Sequence, residues 1–227
     1  MIVNNAYPYL RNRADAGRRL AKNLGKYRKE EVVVIAIPRG GVPVAVEVAK
    51  ELGCQLDIVV PRKIPIPSNP EAGYGAVTED GAIVLNDDLV KRLKFTKHQI
   101  ERHVEEVKAE IKHRSAVYRA KLTPSSMEGK TAVVIDDGLA SGYTMMAAIK
   151  SVRQRGAAKI VVAVPVASSS AWELIKPMAD DVVCLIIART YPFAVASFYR
   201  HWHDLTDEEV FEALKGFTKG YAGNVHE

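Results

Sequence analysis

The amino-acid sequence predicts an α/β protein, with a parallel sheet covered by helices on both faces. Five short runs rich in Val and Ile have the length and the continuous apolar character of strands buried on both sides. These runs are residues 32–37, 56–60, 132–135, 160–164 and 182–187. Between them lie helix-like segments at residues 42–52, 143–154 and 170–178. Strands that alternate with helices in this way are typical of a parallel sheet.

Length and composition fit one globular domain. The chain has 227 residues, of which 48% are hydrophobic and 26% charged, and this argues against disorder. We therefore predict a single domain over residues 1–227, with its core at about residues 28–190. The net charge of +5 is modest. A phosphorylated small ligand accounts for it as well as a nucleic acid would, and a nucleic-acid site would need clustered basic residues.

The sequence favours a cytoplasmic location. Residues 1–20 contain no apolar stretch of the kind found in signal peptides, and no segment approaches the roughly 18 apolar residues of a membrane span. Cys54 and Cys184 are far apart and lie in or beside apolar runs, so we expect buried thiols rather than metal ligands. Neither a membrane nor a nucleic acid is expected as a partner.

The stretch between the second and third apolar runs breaks the alternation. Its first part, residues 61–77, is crowded with Pro and Gly and predicts a long mobile loop. Residues 82–85 predict a short strand. A long amphipathic helix follows from Thr96, with Gln99 completing a capping box. We predict a helical insertion at about residues 87–122, with a solvated polar face.

The most informative segment is VVIDDGLASGYT, residues 133–144. A buried strand ends in two adjacent acids, Asp136 and Asp137, and a loop of small residues leads to a helix that begins near Tyr143. Ligands bind at the carboxyl ends of parallel strands, and loop amides with a helix N-terminus suit a phosphate. The acids would repel that phosphate, so they suit neighbouring hydroxyl groups or a divalent metal. A ribose 5-phosphate carries a phosphate at one end and vicinal hydroxyl groups further along, so it matches both the loop and the acids.

This segment resembles the phosphoribosyl pyrophosphate (PRPP) signature of type I phosphoribosyltransferases, and every position of that pattern is filled. The resemblance implies that Asp136 and Asp137 hold the ribose hydroxyls and contact Mg²⁺ indirectly. The residues implied in the cradle of the 5-phosphate are Gly138, Leu139, Ala140, Ser141, Gly142, Tyr143 and Thr144. Two alternatives stay open: a Walker B segment, although the chain has no Walker A motif, and a plain βα turn with fortuitous acids.

Two basic sites lie at the ends of other predicted strands. Arg39, Gly40 and Gly41 follow the first strand and match the position of the family's pyrophosphate-binding turn. Arg62 and Lys63 follow the second strand and resemble the Arg-Lys pair found there in adenine phosphoribosyltransferases. A structural turn and a solvated charge pair are the respective alternatives.

The resemblance also implies a lid and a hood. Residues 64–77 match the family's flexible loop, which closes over substrate and excludes water, and Glu71, Tyr74 and Gly75 are its candidate residues. The family fold is a five-stranded parallel sheet flanked by helices, with a small hood that selects the base. We expect the N-terminal segment and residues at about 190–227 to form this hood.

Aromatic residues and a histidine pair lie in the expected hood. Tyr191, Phe193 and Trp202 either stack on a planar base or pack in the core. His201 and His203 flank Trp202, but without a third ligand we expect a surface or packing role rather than a metal site.

The resemblance implies a Mg²⁺-dependent enzyme of purine salvage that transfers the 5-phosphoribosyl group of PRPP to an unidentified, purine-like base and releases pyrophosphate, although the expected hood shows no pattern specific for one base. Asp136 and Asp137 would support an oxocarbenium-like sugar, while Arg39 and Lys63 would assist the leaving diphosphate. A regulatory member of the fold that binds PRPP or a nucleotide is the main alternative, and a hydrolase of ribose phosphates is the third. The sequence leaves a homodimer open.

Overall fold

A parallel sheet organises the molecule, which a computed structural model describes for residues 2–3, 10–122 and 125–222. The strands are β1 (Ile2–Val3), β2 (Val32–Ala36), β3 (Gln55–Ile58), β4 (Arg62–Ile66), β5 (Asn69–Val77), β6 (Ile83–Leu85), β7 (Thr131–Ile135), β8 (Lys159–Ser168) and β9 (Asp181–Ala188). The helices are α1 (Arg13–Asn23), α2 (Gly41–Leu52), α3 (Asp87–Leu93), α4 (Lys97–Arg119), α5 (Tyr143–Gln154), α6 (Ser169–Ile175) and α7 (Asp207–Ala222). The sheet has the order β1-β9-β8-β7-β2-β3 and is parallel throughout.

The two faces of this sheet bury separate cores. Along β2, Val32, Val34 and Ala36 pack under α1, α2 and α7, whereas Val33 and Ile35 pack under α5 and α6. This alternation is the two-residue period of a strand, and it explains why both sets are apolar. The prediction of a five-stranded parallel sheet flanked by helices is confirmed. The short strand β1 adds a sixth beside β9, which the sequence did not indicate.

Residues 61–77 form a β-hairpin, so the prediction of a long mobile loop is wrong for this stretch. Strands β4 and β5 pair antiparallel, and β6 joins β5 to complete a separate three-stranded sheet. Ile64 and Tyr74 from this sheet pack against Val104 and Val107 of α4. The hairpin is thus stabilised by its own apolar core. The predicted short strand is β6, and the predicted long helix is α4 with its capping box.

A cluster of charged side chains joins the insertion to the main sheet. Asp57 of β3 is buried and pairs with Arg155, which follows α5. Arg119 at the end of α4 donates to the Ile58 carbonyl oxygen at 2.9 Å and to Glu79 Oε1 at 2.6 Å. Because the acids and bases satisfy one another, this polar junction is compatible with burial. It fixes the insertion on the sheet edge.

A segment near the start of the described chain contacts a segment that follows β9. Leu10 accepts from the Arg200 amide at 2.8 Å and donates to the Phe198 carbonyl at 3.1 Å. Leu10, Phe198 and Tyr199 share an apolar cluster with Ile186 of β9. Further along, α7 packs on α2, and Phe211 contacts the ring of Tyr118. Residues 10–13 and 198–203 of the predicted hood therefore lie together, whereas its residues 1, 4–9 and 223–227 lie outside the described residues. The assignment of a single domain and its boundaries remains a prediction.

Two further sequence expectations concern the whole chain. Within the described ranges, no helix is both long enough and apolar enough to cross a membrane. Cys54 and Cys184 are partly covered, and burial raises the pKa of each thiol to about 12. Both side chains therefore stay protonated at neutral pH, as packed thiols do.

Candidate functional site

The turn after β2 and the acids after β7 lie in contact. A Cβ at Gly40 would overlap the carboxylate of Asp137, and one at Gly41 would lie 2.6 Å from the Ile135 carbonyl oxygen. Only glycine allows the turn to approach the Asp137 side chain and the backbone at the end of β7 this closely. Because β2 and β7 are neighbours in the sheet, their carboxyl ends bring the two predicted sites together.

Asp136 and Asp137 form a closely coupled acid pair. The Asp137 amide donates to Asp136 Oδ1 at 2.8 Å. Burial raises the pKa of both carboxyls, and the charge of Asp137 raises the pKa of Asp136 further. Two carboxylates held this way interact most favourably with a ligand that supplies hydroxyl donors or a cation. The acid pair therefore suits a diol or a metal-bound ligand.

Arg13 is a site residue that the sequence analysis missed. Its Nε lies 2.8 Å from Asp137 Oδ2, its Nη1 donates to the His203 carbonyl oxygen at 2.9 Å, and its guanidinium lies 3.8 Å from the centre of the Trp202 ring. The pair is buried, with 8% of the Arg13 side chain and 14% of the Asp137 side chain exposed. Arg13 opposes the effect of burial on the pKa of Asp137.

The loop between β7 and α5 is fixed by two backbone bonds. The Leu139 amide donates to the Val166 carbonyl oxygen at 2.8 Å, and the Leu139 carbonyl accepts from the Ser168 amide at 2.9 Å. Ser168 Oγ also donates to the carbonyl oxygen of Ala140 at 2.7 Å. The Leu139 amide is therefore committed to the sheet and cannot also bind a phosphate, which narrows the predicted cradle.

The backbone amides that follow Leu139 in this loop are candidates for binding an anion. Helix α5 begins at Tyr143 after Gly142, whose φ is +83°, and no side chain caps its first turn in the described structure. The first backbone N–H groups of a helix have no partner within that helix. Gly138 is needed for packing, because a Cβ there would lie 2.6 Å from Val195. The predicted cradle for the 5-phosphate is thereby reduced to residues 140–144, and phosphate binding there stays a prediction.

The predicted basic residues face α4 and α7. Arg39 Nη1 lies 3.8 Å from Asp207 Oδ1, and Arg62 Nη2 lies 2.9 Å from Glu110 Oε2. The stem of Lys63 passes close to Gly73, where a Cβ would overlap it. Arg62 and Lys63 both lie on β4, whereas Arg39 lies in the turn beside Asp137. The structure thus places Arg39 next to the acid pair and brings Arg62 to α4 instead.

The proposed lid residues lie on β5 of the hairpin. Tyr74 is fully buried, and its hydroxyl bonds His103 Nδ1 at 2.8 Å. Gly75 lies so close to β6 that a Cβ would overlap the Val84 carbonyl. The side chain of Glu71 lies outside the described residues. Tyr74 and Gly75 therefore stabilise the hairpin, and Gly75 is paired with β4 on one side and with β6 on the other.

Among the hood aromatics, one ring remains open to a ligand. Trp202 is covered by Arg13, and Phe193 packs on Phe198 with ring centres 5.6 Å apart. Tyr191 has 98% of its surface exposed.

His203 pairs with Glu209 Oε1 at 2.7 Å. Across the described part of the chain, no group of three or more His, Cys, Asp or Glu side chains could hold a metal ion.

Comparison with known proteins identifies the family of the chain. A family model described as phosphoribosyl transferase domain matches residues 6–199. Two curated proteins from Mycobacterium tuberculosis, of strains CDC 1551 and H37Rv, are provisionally named phosphoribosyl transferases. Each is 38% identical over 211 residues, which cover 93% of this chain and 47% of the relative. The chain therefore spans about half the length of these curated relatives.

A solved structure is similar over nearly the whole chain. The crystal structure of TT1426 from Thermus thermophilus is 38% identical and superimposes with a TM-score of 0.78. The match covers 92% of this chain and 98% of that one. The similarity thus extends over most of the chain and is not confined to the central sheet.

Proposed function

The chain belongs to the phosphoribosyl transferase domain family, and we propose that it transfers the 5-phosphoribosyl group of PRPP to a nitrogenous base and releases pyrophosphate. One observation carries the proposal: a buried acid pair is followed directly by a loop whose amides at residues 140–144 face no internal partner among the described residues. A phosphate and a diol, separated by the length of one ribose, match these two features.

The proposed pose follows from the signs of the charges. The 5-phosphate binds the amides of residues 140–144 at the N-terminus of α5. The ribose hydroxyls donate to Asp136 and Asp137. The diphosphate then extends toward the turn at residues 39–41, where Gly40 lies against the Asp137 carboxylate. Arg39 provides positive charge there, and Arg62 and Lys63 of β4 are the proposed further cations.

Mg²⁺ fits the residues that are present. Magnesium prefers oxygen ligands, and proteins commonly hold it with one or two carboxylates together with substrate phosphates. Asp136 and Asp137 supply such oxygens, directly or through water, and they stand beside the proposed diphosphate position. When bound, Mg²⁺ would neutralise part of the charge on the leaving pyrophosphate. The side chains of this protein would then orient PRPP and exclude water from C1.

The reaction replaces one bond at C1 of the ribose. The C1–O bond to the diphosphate breaks, and its electron pair leaves with pyrophosphate. The lone pair of the base nitrogen forms the new C1–N bond, and the proton of that nitrogen passes to solvent. The sugar carries positive character between these events, and the carboxylates of Asp136 and Asp137 stabilise it electrostatically. Tyr191, which is exposed and follows the carboxyl end of β9, is the proposed ring for stacking on the base.

The proposal is tested by pyrophosphate release from PRPP and Mg²⁺ across a panel of purine, pyrimidine and other nitrogenous bases. Release that depends on one base is the expected result, and that base identifies the acceptor. Tight PRPP binding without release on any base would contradict the transferase and favour a regulatory protein. Release of pyrophosphate without any base would instead indicate a hydrolase.

A further inference from the structure

Helix α4 of the insertion meets both basic sites that the proposed function assigns to the diphosphate. Glu110 of α4 forms an ion pair with Arg62, with 2.9 Å between Glu110 Oε2 and Arg62 Nη2. One turn further along, Arg114 lies 3.7 Å from Asp207 Oδ2, and Arg39 lies 3.8 Å from the other oxygen of that carboxylate. Residues four apart on a helix share one face. The face of α4 that carries Glu110 and Arg114 is therefore turned toward the proposed diphosphate site.

Arg39 and Arg114 are held more loosely than the arginines that stabilise the fold. A charge-assisted hydrogen bond has a length of about 2.7–2.9 Å, and both guanidinium groups lie well beyond that range from Asp207. Neither side chain makes a hydrogen bond to another described residue. In contrast, Arg13 and Arg119 make bonds of 2.6–2.9 Å to carboxylates and carbonyl oxygens. Arg39 and Arg114 therefore keep donors that an anion can fill.

Asp207 is fixed so that it aligns these two arginines. The hydroxyl of Tyr118 donates to Asp207 Oδ1, and Tyr118 itself is fully buried. Burial and this bond raise the pKa of Tyr118, so its hydroxyl keeps the proton that it donates. A single carboxylate between two guanidinium groups leaves one positive charge uncompensated. A diphosphate has the charge and the number of oxygens to contact both.

Arg114 stands on a rigid part of α4. Ile111 and Tyr118 of the same helix are buried in the core beneath α2 and α7. The Arg114 side chain is 38% exposed and can still be reached by a ligand. Because the backbone that carries it is anchored by the core, only the side chain has to adjust when it binds an anion.

We propose that Arg114, contributed by the insertion, binds the diphosphate of PRPP together with Arg39. This inference rests on the proposed function, because it assigns a further binding residue to the same site. It explains what the insertion adds to the site beyond support for the hairpin: α4 supplies one cation and, through Glu110, orients another.

The experiment measures the affinity of the full chain for inorganic pyrophosphate with Mg²⁺, and separately for ribose 5-phosphate, by calorimetry. Arg114→Met is compared with Arg102→Met, a matched control on α4 whose residue pairs with Glu106 and is exposed. We expect Arg114→Met to weaken pyrophosphate binding about tenfold, as the loss of one charge-assisted contact does. Ribose 5-phosphate binding should remain within about twofold of wild type, and Arg102→Met should change neither.

The other possible outcomes contradict either the role of Arg114 or the proposed function itself. Unchanged pyrophosphate affinity in Arg114→Met would remove Arg114 from the site. Equal weakening of both ligands would assign Arg114 a structural role and overturn the inference, while the proposed function would stand. A wild type that binds ribose 5-phosphate but not pyrophosphate would also overturn it. A wild type that binds neither ligand would instead refute the proposed function.

Discussion

At the scale of single residues, the acid pair shows a conflict between stability and binding. Asp137 has Arg13 as a partner at 2.8 Å, whereas Asp136 accepts the Asp137 amide and faces the Asp137 charge. Burial and that charge raise the pKa of Asp136 well above its ordinary value. An ionised carboxyl in such a position destabilises the fold, and a ligand that supplies hydroxyl groups or a cation relieves the repulsion.

We therefore predict that Asp136→Asn stabilises the protein at pH 7 while weakening PRPP binding. The gain in the free energy of unfolding is expected to be on the order of 1 kcal/mol. The carboxyl of the unfolded chain ionises near its ordinary pKa of 3.8, but the folded one ionises at higher pH. Wild-type stability thus falls as pH rises through this window, and the gain should shrink as pH falls toward 3.8. Urea unfolding of the wild type and the variant at several pH values measures this gain.

Asp181→Asn is the matched control, and we expect it to lower the stability at pH 7 rather than raise it. Hydrogen bonds from Lys26 and Tyr27 hold the pKa of Asp181 below its ordinary value. Asp181 therefore contributes stability above its unfolded pKa and loses that contribution as pH falls through its folded pKa. Its replacement should cost less than about 1 kcal/mol at pH 7, because its partner Lys26 is largely exposed. If both variants lost stability at pH 7, the strain assigned to Asp136 would be wrong.

At the scale of elements, the loop before α5 depends on the conformation of one glycine. Gly142 has a φ of +83°, which costs a residue with a Cβ about 1–2 kcal/mol. A Cβ there would lie 3.6 Å from Ala171, an ordinary contact, so a substitution acts through the backbone rather than by filling the cradle. Relief of that strain would rotate the amides that bind the phosphate.

We predict that Gly142→Ala lowers the affinity for ribose 5-phosphate about tenfold, because a small misalignment of several amides affects all their hydrogen bonds. Gly81→Ala serves as the control: Gly81 has a φ of +89°, and an added Cβ would meet no described atom within 4 Å. Both variants should lose similar stability. Calorimetry with ribose 5-phosphate separates them, and equal affinities would contradict the assigned role of the loop.

The elements that the sequence predicted well are those with a local signal. The apolar runs of the central strands, the capping box of α4 and the start of α5 after its glycine loop each depend on adjacent residues. The hairpin of β4 and β5 was missed because Pro65 and Gly73 interrupt the strand pattern and the pairing shifts register near Pro65. Its stability comes from contacts with α4, such as that of Tyr74 with His103, which lie 29 residues apart in sequence.

At the scale of the whole molecule, the two ends of the described chain complete the site. Arg13, near the start, binds Asp137, which is 124 residues away, and the carbonyl of His203, which is 190 residues away. Tyr199 donates to the Asp137 carbonyl oxygen at 2.7 Å. No sequence spacing indicates such contacts, since they arise only when the sheet brings the strand ends together. Local sequence therefore indicated the acid pair and its loop, but not the residues that support them.

Phosphate binding by the loop before α5 can be observed in the amide ¹H–¹⁵N spectrum of the full chain, recorded with and without ribose 5-phosphate, with ribose as the control. We expect large shifts for the amides of Ser141, Gly142 and Thr144 with the phosphorylated sugar, and little change with ribose. The Leu139 amide, which is bonded to Val166, should respond less. Unshifted amides at residues 140–144 under saturating ribose 5-phosphate would contradict the proposed phosphate cradle and, with it, the proposed function.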